Sequence, residues 1–423
     1  MTRQRMVLDY QLLLLRTTKP TRKMNNPIDL PPDDHLPDPS IALRENFPEI
    51  RESVRALCAK FPGSYWRGKD QERDYPEEFV SALTKAGYLS ALIPEEYGGS
   101  GLPISAASAI LEEIHRAGCN GAACHAQMYM MGTVLRHGSA EQKQKFLPGI
   151  ASGELRLQAF GVTEPNTGSD TTRLRTLAVR DGDQYVVNGQ KIWTSRAEYS
   201  DLLLLLARTT PLEETQSRRD GLSVFLVDMR TVEGLEIRPI RTMINHATTE
   251  LFFTDMKIPA DSLIGEEGSG FSYILDGMNA ERILIGSESV GDARFFIERA
   301  TQYANERDIF GGPIGKNQGI QFPIARAYAN MEAARLMVFK ASALFESGHP
   351  AGPSANMAKL LAGDSAWESA DMCMQTFGGF GFAEEYDIER KFRESRLYQI
   401  APISTNMILG YIGQHVLGLP RSY

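Results

Sequence analysis

Two short segments in the middle of the chain carry residues suited to binding a flat aromatic group with a polar tail. The first, residues 160–170, reads FGVTEPNTGSD and offers hydroxyls, a turn glycine and backbone N–H groups to a polar or phosphate-bearing ligand. The second, residues 188–195, reads NGQKIWTS and places the indole of Trp193 near the hydroxyl of Ser195. Ordinary surface turns use the residues of the first segment too, so a cofactor site and a plain turn both stay open here.

The length and composition of the chain indicate a globular protein of two or three domains. Its 423 residues exceed one ordinary core, and its net charge of -8 does not favour nucleic acid as a partner. The longest apolar run, Leu202 to Ala207, is far short of the ~20 residues that span a bilayer, which predicts a buried strand and no membrane span. Four cysteines in so long a chain do not suggest a disulfide framework, so we expect them to be buried in a soluble intracellular protein.

Residues 1–40 are expected to form an irregular or targeting arm. The stretch 1–23 carries six basic residues against a lone Asp9, as a mitochondrial transit peptide does, while Met24 offers a second possible start. The bacterial cytoplasm is slightly favoured as the location, with the mitochondrial matrix as the alternative.

Three regions follow this arm. Helical spacing of apolar residues over 41–157 predicts an N-terminal helical domain, and alternating residues with turns over 158–265 predict a central antiparallel β-barrel or sandwich. Helical spacing returns over 266–423, which predicts a C-terminal four-helix bundle. Neither a Gly-x-Gly-x-x-Gly motif after a strand nor a Walker A loop occurs, so a Rossmann flavoprotein is not expected.

The C-terminal region adds a series of polar and glycine positions in a fixed order. ERDIFG at 306–311 is followed by Gln318, by Gln375 ahead of two glycines, and by RESR at 393–396. With the two central segments, this series resembles the acyl-CoA dehydrogenase family from about residue 41 to the C-terminus. The resemblance implies FAD as cofactor, a saturated acyl-CoA oxidised to the trans-2-enoyl-CoA, and an electron-transferring flavoprotein as electron acceptor.

The resemblance also implies roles for particular residues. It places three groups at the cofactor: the isoalloxazine contacts Phe160, Val162, Thr163, Trp193 and Ser195; the contacts to the FAD of a neighbouring subunit, Arg307, Phe310, Gln318, Gln375 and Gly379; and Ser404 near the C-terminus. Ser169 would lie near both substrate and cofactor. Because the family binds FAD at a subunit interface, a homotetramer or homodimer is expected.

The reaction needs a base for the α-proton of the thioester. Many family members supply a glutamate from a Tyr-Glu-Gly-Thr segment, but residues 401–404 here read Ala-Pro-Ile-Ser. The isovaleryl-type and long-chain enzymes instead carry the base on a bundle helix, just before an arginine. Glu281 followed by Arg282 matches that arrangement, so Glu281 is the predicted base and Arg282 a structural or substrate-orienting partner. A dry pocket would raise the pKa of Glu281 toward neutrality, which suits a base.

Pro402 and Ile403 depart from the family pattern. The family uses the backbone N–H at the position of Pro402 to polarise the thioester carbonyl, and proline has no N–H. Another donor replaces it, or the protein performs a different flavin reaction such as oxygen-using oxidation or elimination, or it is a catalytically silent flavin-binding relative. Ile403 stands where glycine is usual, which predicts an altered substrate pocket.

The histidines are expected to be structural. His125, His137 and His246 lack the spacing of metal ligands, so we expect each to be satisfied within the fold and no metal to be bound. The nearby Met128, Met130 and Met131 are expected to fill core gaps, although the resemblance places their helix along the acyl pocket.

Overall fold

The computed structural model describes residues 46–421, so the predicted arm at 1–40 lies outside the described residues. The first part is helical. Its helices are α1 (Pro48–Cys58), α2 (Gly63–Glu72), α3 (Glu77–Lys85), α4 (Ile104–Arg116), α5 (Ala122–His137) and α6 (Ala140–Ser152). Helix α6 begins at a capping box, in which the Ser139 hydroxyl accepts from the N–H of Gln142 and the Gln142 side chain accepts from the N–H of Ser139.

The middle of the chain forms one eight-stranded sheet. Its strands are β1 (Leu157–Gly161), β2 (Leu177–Asp181), β3 (Gln184–Ser195), β4 (Leu202–Arg208), β5 (Leu222–Asp228), β6 (Leu235–Pro239), β7 (Thr248–Pro259) and β8 (Leu263–Ile264). The order is β6-β7-β3-β2-β4-β5-β8, with β1 beside β4. Most pairs are antiparallel, but β1 and β2 both pair parallel to β4.

Strand β4 is the core of the sheet because both of its faces are covered. All seven of its residues are buried, which confirms the predicted buried strand. Leu202, Leu204 and Leu206 pack with residues of α5 and α6, whereas Leu203 and Leu205 pack with the other strands. The sheet is thereby fixed against the N-terminal helices.

The last part of the chain is built on three long helices. They are α7 (Gly270–Glu306), α8 (Gln318–Glu346) and α9 (Gly352–Phe377), followed by the short α10 (Ile388–Ser395) and α11 (Thr405–Tyr411). These three regions confirm the predicted fold class, while the domain boundaries stay a prediction. None of the helices within 46–421 combines the length and apolarity of a membrane-crossing segment. All four cysteines are buried, as expected.

Helix α7 is the central helix because it packs against both helical regions. Every residue from Ala280 to Ala293 is buried. Gly291 allows the closest approach, since a Cβ there would lie 2.3 Å from the carbonyl oxygen of Glu112 on α4. A side chain at this position would therefore push the two regions apart.

Asp292 of α7 joins three separate elements. One of its oxygens lies 2.6 Å from Nζ of Lys391 on α10 and 3.1 Å from Nδ1 of His115 on α4. The Tyr398 hydroxyl donates to the other oxygen at 2.8 Å. Burial alone would raise the pKa of Asp292, but the charges of Lys391 and His115 hold it below its ordinary value. The N-terminal helices and the end of the chain are thus held on α7 by one carboxylate.

Replacing Asp292 with Asn should destabilise the fold strongly, because the ammonium of Lys391 would lose a buried counter-charge. We expect a loss of about 3–5 kcal/mol in the free energy of unfolding at neutral pH, measured by urea denaturation. The control is Glu298→Gln on the same helix, where a half-exposed ion pair with Arg116 is lost at a cost of about 0–1 kcal/mol. Equal unfolding midpoints for the two variants would contradict this role of Asp292.

Candidate active site

The segment after β1 is fixed by a buried ion pair with β3. Nζ of Lys191, which is fully buried, lies 2.9 Å from Oε1 of Glu164 and donates to the carbonyl of Val162 at 3.0 Å. The N–H of Ile192 donates to the carbonyl of Thr163 at 2.9 Å. Two of the predicted flavin contacts, Val162 and Thr163, are therefore held in place by hydrogen bonds that their carbonyls accept from β3, one from the Lys191 side chain and one from the backbone of Ile192.

Glu164 of this pair is fully satisfied. Its carboxylate also accepts from the N–H groups of Arg175 at 2.7 Å and Thr176 at 2.9 Å. Burial acts to raise the pKa of Glu164, but Lys191 and the hydrogen bonds keep it below its ordinary value. Burial in turn lowers the pKa of Lys191 to about 8. Sequence reasoning missed this pair, although both residues lie inside the two segments singled out.

Trp193 adopts a strained conformation that turns its ring out of the sheet. Its φ is 61°, and the pairing of β3 with β7 shifts register between Lys191 and Thr194. A bulky residue with this φ costs ~1–3 kcal/mol, and such strain concentrates at ligand sites. The indole is 57% exposed, while the Ser195 hydroxyl beside it accepts from the side chain of Asn245 at 2.7 Å. A flat ligand would therefore meet an open aromatic face with a hydroxyl beside it.

Several buried polar atoms near the two segments have no partner among the described residues. They are Oγ1 of Thr167, Oγ1 of Thr194 and Nε of Arg196. Folded proteins leave few buried polar atoms unpaired, and each needs a reason. A cofactor rich in oxygen and nitrogen atoms, as FAD is, would supply the missing partners, so these residues fit the predicted group. Phe160 and Ser169 lie on the same segment, half-buried and exposed respectively.

Glu281 lies on the buried part of α7 and faces α5. It is 5% exposed, and burial raises its pKa above the ordinary value, while the charges of His125, Arg282 and Lys359 act in the opposite direction. The charge of Glu281 also helps burial to raise the pKa of Tyr129 on α5. The Tyr129 ring packs against Phe160 with centroids 5.8 Å apart. Tyr129 therefore contacts the predicted flavin segment and lies within electrostatic reach of the predicted base.

Arg282 has spare donor capacity next to this base. Its Nη1 donates to the side chain of Asn279 at 3.0 Å, whereas its Nε is buried with no partner between residues 46 and 421. Burial lowers its pKa, and the charge of Glu281 offsets part of that effect. Arg282 is thus fixed by Asn279, and its Nε–H has no acceptor among the described residues.

Lys359 of α9 holds the loop at residues 401–404. Its Nζ donates to the carbonyls of Tyr398 and, at 2.8 Å, Ile403, and burial lowers its pKa to about 8. Among the described hydrogen bonds, none uses the N–H of Ile403 or Ser404. Ser404 instead caps α11, with its hydroxyl accepting from the N–H of Met407. Two loop N–H groups next to Pro402 therefore have no acceptor among the described residues.

The residues predicted to bind a neighbouring subunit's FAD gather at one end of the bundle. Arg307, Phe310, Gln318, Gln375 and Gly379 are all exposed, where α7 ends, α8 begins and α9 ends. The Arg307 guanidinium lies over the ring of Phe380, and Phe310 is completely exposed. An open cation among exposed aromatic rings is typical of an interaction surface. Their contact with FAD stays a prediction.

The comparisons with known proteins agree with this arrangement. Three family models match in order: the acyl-CoA dehydrogenase N-terminal domain at 45–154, the middle domain at 159–256 and the C-terminal domain at 268–417. The chain is similar to acyl-CoA dehydrogenase FadE12 of Mycobacterium tuberculosis, with 33% identity over 393 residues, 92% of this chain and 100% of the relative. It is 37% identical to cyclohex-1-ene-1-carbonyl-CoA dehydrogenase of Syntrophus aciditrophicus, over 85% of this chain and 86% of that one.

The chain is also similar in fold to a solved structure. A chain from a study of the electron transferring flavoprotein of Acidaminococcus fermentans superposes with a TM-score of 0.83 and 30% identity, covering 87% of this chain and 97% of that one. The chain therefore belongs to the acyl-CoA dehydrogenase family. It is a flavoprotein oxidoreductase of the class that acts on the CH–CH group of an acyl-CoA, and its cofactor is FAD.

Replacing Lys191 with Met should loosen the cofactor segment, because Glu164 would remain buried without its cation. We expect a loss of about 3–5 kcal/mol in the free energy of unfolding and a lower FAD content per protein. Urea denaturation and the flavin absorbance of the purified protein measure the two effects. The matched control is Lys257→Met on β7, an exposed lysine in the neighbouring strand. Equal stability and FAD content in both variants would show that the Lys191–Glu164 pair does not hold the cofactor segment in place.

Proposed function

We propose that this protein oxidises a saturated acyl-CoA to the trans-2-enoyl-CoA, with Glu281 as the base. The observation that carries the proposal is a buried glutamate with a raised pKa on the central helix, facing Tyr129 and, through it, the flavin segment at Phe160. A carboxylate in such surroundings is a stronger base than an exposed one. The resemblance to enzymes with the base on this helix supports the same assignment.

The neighbouring residues have separate tasks in this proposal. Glu281 removes the α-proton and keeps it on its carboxylate, while Arg282 and Lys359 offset the negative charge that gathers at the site. The N–H groups of Ile403 and Ser404, held in place by Lys359, donate to the thioester oxygen in place of the N–H that Pro402 lacks. Bound FAD would accept the hydride, a hydrogen with both electrons of its C–H bond, that leaves the β-carbon.

The cofactor contacts form two proposed sets. Phe160, Val162, Thr163, Ser169, Trp193 and Ser195 contact the FAD of their own subunit, with Ser404 close to it. Arg307, Phe310, Gln318, Gln375 and Gly379 contact the FAD of the next subunit, which makes the protein a homotetramer or homodimer. An electron-transferring flavoprotein is the proposed acceptor of the electrons, and the likeness to a chain from a study of such a protein supports it.

Glu281→Gln should abolish reduction of the flavin by substrate, since an amide cannot accept the α-proton. The variant should retain FAD and reduce it at least ~100-fold more slowly in anaerobic stopped-flow experiments with acyl-CoAs. The control is Glu306→Gln, an exposed glutamate at the end of the same helix. Fast reduction in Glu281→Gln would exclude this residue as the base.

The rate of flavin reduction should rise with pH, because only the carboxylate form of Glu281 accepts a proton. Burial raises its pKa, so the midpoint should lie above the ordinary glutamate value of 4.5. Between the ordinary pKa of a glutamate and the raised pKa of Glu281, the folded protein keeps a proton that the unfolded chain has released. The free energy of unfolding therefore falls as pH rises through this range. Glu281→Gln should consequently be at least as stable as the wild type above the midpoint. A flat pH profile of the reduction rate would count against this account.

A second candidate follows from Pro402. If Ile403 and Ser404 do not supply a donor, the same fold would support an oxygen-using oxidation or an elimination. Mixing the reduced protein with oxygen distinguishes an oxygen-using oxidation from the dehydrogenase reaction. Rapid reoxidation of the flavin favours the oxidase, and slow reoxidation favours the dehydrogenase.

A further inference from the structure

His125 on α5 has a buried nitrogen that the fold leaves unpaired. The residue is 7% exposed, and its Nε2 finds no hydrogen-bond partner among the described residues. The sequence predicted a satisfied structural histidine, and for His125 that prediction is wrong. Nε2 of His137 and Nδ1 of His246 also make no hydrogen bond among the described residues, but Nε2 of His137 lies 3.2 Å from the exposed Asp276 and the other nitrogen of His246 lies 2.7 Å from Asp70.

The other nitrogen of His125 lies close to a buried acid, without a hydrogen bond between them in this structure. Its Nδ1 lies 3.3 Å from Oε1 of Glu288, which is 2% exposed, and Nε2 of His115 lies 3.8 Å from the same oxygen. A carboxylate at Nδ1 favours the proton on that nitrogen. The unpaired Nε2 then accepts a hydrogen bond in the neutral ring and donates one in the charged ring.

His125 lies near both Glu281 and Glu288 of α7. His125 and Tyr129 lie one turn apart on α5, with ring centroids 5.3 Å apart, and the charge of Glu281 reaches both. Glu281 and Glu288 lie two turns apart on one face of α7, about 10 Å along its axis. His125 therefore stands beside the part of α7 that runs from the base to Glu288.

Only one direction along α7 suits the acyl chain. Toward its start, the helix is exposed at Leu275 and Asp276, so the bulky thioester end has access from that side. Toward Glu288 every residue is buried. An acyl group with its α-carbon at Glu281 and its chain directed inward would run toward Glu288, whose Oε1 lies 3.3 Å from Nδ1 of His125.

We propose that His125, which lies beside Glu288, is a specificity residue that selects acyl groups bearing a hydroxyl beyond the β-carbon. This inference rests on the proposed function, whose substrate it narrows. A hydroxyl both donates and accepts, so it satisfies Nε2 in either protonation state, whereas an alkyl chain leaves Nε2 buried and unpaired. Sites built to hydrogen-bond a substrate reject the analogue that lacks the group.

The charges around His125 favour an uncharged group on the part of the acyl chain that reaches it. Glu281 and Glu288 face it from α7, Arg196 lies close enough for the charge of Glu288 to act on its pKa, and His115 flanks Glu288 from α4. A carboxylate on the acyl group would enter a pocket that already holds two acidic side chains. A hydroxyl brings no charge and needs no further partner.

The test compares ω-hydroxyacyl-CoAs with alkyl acyl-CoAs of equal length, in wild type and in His125→Leu. The wild type should prefer the hydroxyl compound by at least ~10-fold at one chain length, in the anaerobic rate of flavin reduction. His125→Leu should lose or invert that preference, and His125→Gln, which keeps a polar group, should retain part of it. His137→Leu, the same change at the far end of α5, should leave the preference intact.

Binding separates failure of this inference from failure of the proposed function. Calorimetric titration of Glu281→Gln with the same pairs compares affinities without turnover. A binding preference for the hydroxyl compound supports the role of His125 even if no compound reduces the wild-type flavin, a result that would count against the proposed reaction alone. Equal affinity within every pair, or a parallel change for both compounds in His125→Leu, would overturn the specificity role.

Discussion

Three carboxylates buried on one face of α7 constrain the arrangement of the helices. Glu281, Glu288 and Asp292 are separated by seven and four residues, so they lie on the same side of the helix. Carboxylates removed from water need cations or hydrogen-bond donors. The partners come from other elements: His115 from α4, His125 from α5 and Lys391 from α10. Docking these elements on α7 is therefore required by charge as well as by apolar packing.

The three acids differ in how completely they are compensated. The pKa values of Asp292 and Glu288 are lowered despite burial, because their partners stabilise the anions. The pKa of Glu281 is raised, since the cations near it do not offset its burial. This contrast supports the proposal that Glu281 is the acid that exchanges a proton in the reaction. The sheet also combines a satisfied pair with a residue that the fold does not satisfy. Glu164 is paired with Lys191, while Trp193 in the same strand as Lys191 is strained and exposed.

Much of the fold was predictable because it follows from local patterns. The leucine run predicted the buried strand β4, and the change from helical to alternating spacing predicted the order of helices, strands and helices. The resemblance also placed Glu281 before Arg282 on a helix. The pairs that hold the helices on α7 were not predictable, because their members are far apart in sequence: 177 residues separate His115 from Asp292. For His125, the lack of metal-ligand spacing predicted a satisfied histidine, and only the packing of α5 in the folded protein shows that its Nε2 is buried without a partner among the described residues.

The most direct test of the account is a crystal structure of the protein with FAD and a non-reactive acyl-CoA analogue. The account predicts the Glu281 carboxylate roughly 3–3.5 Å from the α-carbon, the spacing of reacting groups, with the flavin on the opposite face of the acyl chain. The thioester oxygen should accept from the N–H of Ile403 or Ser404. Another acidic side chain at the α-carbon, or a thioester bound out of reach of Glu281, would contradict the assignment of the base.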